Sequence, residues 1–220
     1  MRLRSRIGGV NFGDLRRLEP ISANWGFDRG LPVDRYFIED FLRRNQLDIG
    51  GRVLEVADRV YTREFGADRV DRSDVVDIRA TNPRATVIAD LTDAPSIPSA
   101  SFDCVIVTQT LHLIFDIERA VETVHRILAP GGVVLATVPG ITATDRSVAW
   151  NWAVFPAAAE RLFAEHFGAE QTEVEVFGNL LTAAAFLFGL AADELTPAEL
   201  ARRDDRYPLL TCVRCVKTRR

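Results

Sequence analysis

The chain has 220 residues and a mass of 24.5 kDa, the size of one domain with an appendage. Its 47% hydrophobic and 26% charged residues exclude a mainly disordered chain, and a net charge of −4 provides no global basic field for nucleic acid. The longest nearly apolar run, 180–192, is shorter than the roughly 20 residues of a membrane span, and the basic opening 1–6 lacks the apolar stretch of a secretory signal. Three cysteines are too few for a disulfide framework and point to a reducing, cytoplasmic setting.

The first 31 residues are punctuated by Gly8, Gly9, Gly13, Gly26 and Gly30 and read as irregular. Pro32 suits a first helical turn, and Val33, Tyr36, Phe37, Phe41 and Leu42 follow at helical spacing as far as Asn45 and Gly50–Gly51. From Arg52 strands and helices alternate. Val53–Val56, Arg69–Asp77, Ala85–Ala89, Asp103–Val107 and Val133–Val138 read as strands. Ile117–Leu128 reads as a helix that the breaker Ala129-Pro130-Gly131-Gly132 ends. Then come a helix at Pro156–Phe167, a strand at Glu173–Phe177, a helix at Asn179–Leu190 and a strand at Leu209–Val216. Such alternation predicts a mostly parallel sheet covered on both faces. Ligands of such sheets bind beyond the carboxyl ends of the strands, where strand order reverses.

Three features stand in a fixed order. Glu55 closes the first strand; Asp90-Leu91 follows the third; and the fourth runs through Thr108-Gln109-Thr110-Leu111-His112, one helix before Leu128–Gly132. This order resembles the class I S-adenosylmethionine-dependent methyltransferases, over roughly residues 52–138. The opening Asn24–Tyr36 is similar to a bacterial subgroup encoded beside, or fused to, glycosyltransferases. The resemblance implies a Rossmann-like, doubly wound α/β fold: a mostly parallel seven-stranded sheet with helices on both faces. Residues 1–31 would form an N-terminal cap and residues 32–220 the catalytic domain.

The resemblance also implies S-adenosylmethionine as cofactor. A carboxylate ending the second strand would take the ribose hydroxyls: Asp74, with Asp77 as the alternative. Asp90 and the backbone N–H of Leu91 would hold the adenine. Thr108 and Gln109 would line the sulfonium side, and Glu55, Ala57, Asp58 and Thr62 the first turn. From the cap, Tyr36 would join them and Arg29 would meet the methionine carboxylate as a bidentate fork, the alternative being a surface pair with Asp28 or Asp34. Aspartates are common wherever strands turn, so the assignment rests on several in order.

The first turn departs from the family pattern. Where Glu-x-Gly-x-Gly-x-Gly is usual, this chain has Glu55-Val56-Ala57-Asp58-Arg59-Val60-Tyr61. Such residues resist the positive φ that glycine permits, which predicts a wider loop with Tyr61, Thr62 and Arg63 turned toward the methionine end. His112 is either a general base for an acceptor hydroxyl or a packed polar residue; His125 and His166 read as structural. Asp145-Arg146 with Trp150-Asn151-Trp152 is a second candidate region, as an acceptor pocket or a hydrophobic plug. Cys212 and Cys215 fall on opposite faces of one strand, so no metal site is expected. The one lysine, Lys217, reflects composition bias.

The resulting expectation is methyl transfer from S-adenosylmethionine to a small molecule such as a sugar or secondary metabolite, at a hydroxyl first, with an amine or carbon as the alternatives. No nucleic acid or membrane is engaged; protein partners are a homodimer or a glycosyltransferase. The rival is a non-catalytic domain of this fold that binds a metabolite or a partner, favoured by the missing glycines. A nicotinamide-dependent reductase would need a Gly-x-Gly-x-x-Gly turn, which is absent.

Overall fold

Seven strands lie in one sheet in the order β3-β2-β1-β4-β5-β7-β6. A computed structural model describes residues 13–145 and 147–219; Gly8, Gly9 and the rest of 1–12, with Arg146, lie outside the described residues. The strands are β1 (Gly51–Val56), β2 (Val70–Asp77), β3 (Val87–Ile88), β4 (Phe102–Thr108), β5 (Leu128–Pro139), β6 (Thr172–Phe177) and β7 (Leu210–Val216). β1 to β5 pair in parallel, whereas β7 runs antiparallel to both β5 and β6. The central strands are nearly continuous apolar runs because both their faces are buried. Strand order reverses between β1 and β4, which opens a crevice at their carboxyl ends.

One face packs against α2 (Ile117–Ile127) and α3 (Pro156–Phe167), through Val121, Val124, Phe163 and Phe167. The other packs against α1 (Val33–Arg44), α4 (Leu180–Leu187) and α5 (Pro197–Ala201), through Phe37, Phe41, Phe186 and Leu200. Cys215 sits on the first face, Cys212 and Cys104 on the second; all three thiols are free and buried. Among the described residues no cluster suits a metal ion, and no helix is long and apolar enough to cross a membrane.

The observed boundaries correct the expected ones where chemistry competes with pattern. The breaker Ala129–Gly132 does end α2, but it lies inside β5, whose register shifts there against Phe102–Cys104 of β4. β3 keeps two residues instead of five. The crossings 57–69 and 78–86 on either side of β2 contain no α-helix, so the β3 edge has less cover than the middle of the sheet. Residues 13–31 dock on the linker after α4. Ile21 and Ser22 donate N–H bonds to the Phe188 carbonyl, and Ala192 donates to that of Leu31. Gly189 makes this approach possible: its φ is +72° and a Cβ would collide with the Ser22 carbonyl.

The lone lysine has a structural role that composition did not reveal. Lys217 Nζ donates to the carbonyls of His125 (2.7 Å) and Leu128 (2.8 Å), satisfying groups left open at the end of α2. Lys217→Met should therefore lower the unfolding free energy by about 1–3 kcal/mol in urea titrations, more than substitution of exposed Arg161.

Candidate functional site

The crevice is built first from the turn after β1. Glu55 is buried, and its carboxylate accepts three bonds from the next helical turn: Tyr61 N–H (3.1 Å), Thr62 N–H (2.8 Å) and Thr62 Oγ1 (2.6 Å). Those donors open a single π-helical turn, Thr62–Gly66, so Glu55 acts as its anionic cap. Burial pushes the Glu55 carboxyl up to about 7, against the three donors that favour its ionised form. Asp58 accepts from Val60 N–H at 3.0 Å and fixes the residues between.

Ala57, where the family has its first glycine, takes φ +68°. The backbone therefore keeps the glycine path at that position despite the Cβ, at a strain of order 1–2 kcal/mol. Neither Arg59 nor Tyr61, at the other two glycine positions, has a positive φ. The side chains that were to turn together toward one ligand diverge. Thr62 points inward to Glu55; Tyr61 stacks on Phe65 (6.1 Å) and meets Arg35; Arg63 is exposed.

At the end of β2 stands Asp77, not Asp74. Asp74 lies three residues earlier, opposite Leu54, and is consumed by structure. It pairs with Arg52 (2.8 Å) and Arg72 (3.0 Å) and meets Thr86 Oγ1 at 3.2 Å. Burial alone would raise its carboxyl; the two arginines hold it below the usual range. Asp77 is also held low against burial, accepting from Arg79 N–H and from Asn82 Nδ2 (2.8 and 2.7 Å). Asn82 Nδ2 also donates to the Ala57 carbonyl at 2.7 Å, tying the two ends of the crevice together. Beyond β3, Asp90 accepts both the N–H and the hydroxyl of Thr92 on Oδ1 alone, at 2.9 Å each. The N–H of buried Leu91 meets no acceptor among the described residues.

From β4, Thr108 is the last strand residue and Gln109 follows with φ +46°. Strained backbone at the mouth of a crevice is a feature that surrounding structure must hold in place. Gln109 Nε2 reaches buried Asp34, at the start of α1, at 3.4 Å; burial pushes that carboxyl up. His112 is buried under Trp150, ring centroids 4.4 Å apart, and Trp150 stacks on Trp25 at 6.5 Å. Burial and nearby Arg35 lower the imidazole to about 4, and its Nδ1 has no partner. Asn151 and Trp152 donate N–H bonds to the His112 carbonyl, clamping this aromatic segment over Leu111–Leu113. Beside it, a cavity of about 370 Å³ is lined by Asn24, Trp25, Thr144 and Asp145.

Thus Glu55, Ala57, Asp58, Asp90, Leu91, Thr108 and Gln109 come to one end of the sheet. Arg29 does not serve as anticipated: it makes a fork with Glu194, one arm 2.9 Å long, in the linker after α4. Tyr36 lies on α1 with its ring edge-on to Phe37. Asp34, expected at most as a surface partner of Arg29, and Asn82 enter the site through bonds across 75 and 25 residues that no local pattern encodes.

Residues 47–136 match a family model described as a methyltransferase domain. Over that segment the chain is similar to methyltransferase domains, and S-adenosylmethionine is the cofactor this similarity supports. Solved structures show the same fold. A SAM-dependent methyltransferase from Archaeoglobus fulgidus is 14% identical with a TM-score of 0.56, over 83% of this chain and 94% of that one. One from Mesorhizobium loti is 17% identical with a TM-score of 0.54, over 87% and 100%. A chain of the Haloferax volcanii complex between the Trm112 methyltransferase activator and a methyltransferase is 15% identical, TM-score 0.52, over 89% and 96%. No curated protein matches the chain significantly.

The residues fit the adenosine part of that cofactor. Asp77, one open oxygen of Asp90 and the unpaired Leu91 N–H offer two acceptors and a donor, and Ala57 leaves backbone close to the crevice. The Glu55 bonds predict how affinity follows pH. Above pH 7 the ionised carboxylate holds all three donors of the turn; protonation releases some of them. Affinity for S-adenosylhomocysteine should fall between about pH 8 and pH 6.5, whereas global stability should rise over that window, because the folded state takes up the proton first. Glu55→Gln should bind weakly and remove both trends. Titration calorimetry and urea unfolding at the two pH values check this.

Proposed function

We propose that the chain moves a methyl group from S-adenosylmethionine to a hydroxyl of a small molecule, a sugar or secondary metabolite. The observation that carries this reading is the meeting of Glu55, Asp77, Asp90 and Gln109 at the point where strand order reverses. In this reading Asp77 accepts from the ribose hydroxyls after exposed Arg79 swings aside. Asp90 and the Leu91 N–H take the adenine edge, Thr108 and Gln109 face the reacting end, and Tyr36 closes the cap side. The bound cofactor supplies an already activated methyl group on a sulfonium. The protein is left to align the acceptor and exclude water.

The acceptor reading is supported by the aromatic pair Trp25–Trp150 beside a cavity with polar Asn24, Thr144 and Asp145, a lining that suits a polyhydroxylated molecule. His112 presents an unpartnered Nδ1 and is neutral at physiological pH. With the Trp150 indole moved off it, Nδ1 accepts a hydrogen bond from the acceptor hydroxyl and orients it, rather than acting as a strong base. The likeness of residues 24–36 to the glycosyltransferase-linked subgroup supports a glycosyltransferase as partner, and the three free cysteines support a cytoplasmic site of action.

A non-catalytic reading has one observation in its favour: the N–H groups of Tyr61 and Thr62 are spent on Glu55 and Asp77 is bonded within the chain. Calorimetric titration with S-adenosylmethionine separates the two. Saturable one-to-one binding supports transfer; no heat at millimolar ligand with folded protein supports the other. Asp77→Ala and Asp90→Ala should each weaken cofactor binding by about 1–3 kcal/mol. Asp74→Ala should instead lower stability by releasing Arg52 and Arg72, leaving affinity nearly unchanged.

A further inference from the structure

The crossings around β2 leave a second hollow of about 370 Å³, lined by Arg59 and Arg63 from the first turn and by Pro83, Arg84, Ala85 and Thr86 from the β2–β3 loop. None of Glu55, Asp77, Asp90, Gln109 or His112 borders it. It exists because neither crossing carries an α-helix to cover this part of the sheet.

Three arginines line the hollow, and among the described residues no carboxylate pairs with any of them. Arg59 donates at 3.4 Å to the backbone carbonyl of Arg84, a contact that leaves its charge uncompensated. This is unlike the treatment of arginine nearby, where Arg52 and Arg72 pair with Asp74 and Arg79 with Asp77. The chain has carboxylates to spare, 31 against 27 basic residues, yet none is placed here. Like charges gathered without a counter-charge repel, so the arrangement suits an anion from outside.

The loop is fixed before any ligand arrives. Arg84 N–H donates to Asn82 Oδ1 (3.0 Å), Ala85 N–H to the Asn82 carbonyl (3.2 Å) and Thr86 N–H to that of Val75 (2.9 Å). A rigid loop loses little freedom on binding. Guanidinium forks match the oxygens of a phosphoryl group two at a time, and three arginines on one hollow carry more forks than a single carboxylate could use. Pro83 and Ala85 add apolar wall for an organic body attached to the phosphoryl group.

We propose that this hollow binds the phosphoryl group of a small phosphorylated metabolite, with Arg59, Arg63 and Arg84 as its counter-charges. Binding is read in cofactor-free protein, so the outcome is separate from that of the methyl-transfer reading. The test is calorimetric titration of the full chain at low ionic strength with ribose 5-phosphate, inorganic phosphate and acetate.

Ribose 5-phosphate should bind one-to-one, more tightly than inorganic phosphate, and weaken steeply with added salt. Acetate should not saturate. Arg63→Gln and Arg84→Gln should each weaken the sugar phosphate by about tenfold, with unchanged unfolding midpoints and S-adenosylhomocysteine affinity. Three results would overturn the proposal: no saturable binding of ribose 5-phosphate, binding unaffected by either variant, or inorganic phosphate binding as tightly as the sugar phosphate, which would mark a free-anion site.

Discussion

The Glu55 carboxylate is the constraint around which the crevice is arranged. Its three acceptor bonds set the direction of the chain from β1 into the following π-helical turn. In a glycine-rich turn, backbone freedom does this work, leaving N–H groups for a ligand. Here a buried side chain does it, and the N–H groups of Tyr61 and Thr62 are used up in the process. The consequence is a turn with left-handed backbone at Ala57 and two of its N–H groups already paired. In the proposed reading, recognition then falls more to Asp77, Asp90 and the Leu91 N–H at the adenosine end.

Around this turn the protein economises on helices. The chain passes from β1 to β2 and from β2 to β3 without an α-helix, while α1 to α5 are spent on the rest of the sheet and on docking residues 13–31. Side-chain ties take the place of helix packing at the β3 edge. Asn82 links Ala57 to Asp77, and Asp74 gathers Arg52, Arg72 and Thr86. The fold therefore supports the crevice by polar bonds on one side and by apolar packing on the other. That division explains why an Asp that reads as a ligand can be structural.

The strands were legible in the sequence where burial on both faces makes continuous apolar runs, as in β4 and β5, and α2 where Ala120, Val121, Val124 and Ile127 repeat at helical spacing. What stayed hidden depends on pairing or on distant partners. A two-residue β3 has no periodicity to reveal it. β2 is legible to its last residue, Asp77, but which of its aspartates is closed off depends on Arg52 and Thr86, from other segments. Arg29 finds Glu194 across 165 residues, and Lys217 finds the end of α2 across 92; neither leaves a local trace. The missing glycines were plain to see, but the bonds by which Glu55 fixes the turn reach Thr62, seven residues on and on a different element, and leave no local trace.

The most direct test of this account is a crystal structure with S-adenosylhomocysteine bound. The account predicts that the adenosine lies over Ala57 between Asp77 and Asp90, that Ala57 keeps its positive φ, and that Glu55 still accepts from Tyr61 and Thr62. A turn that has rearranged to release those N–H groups to the ligand, with Glu55 turned out of its bonds, would contradict it.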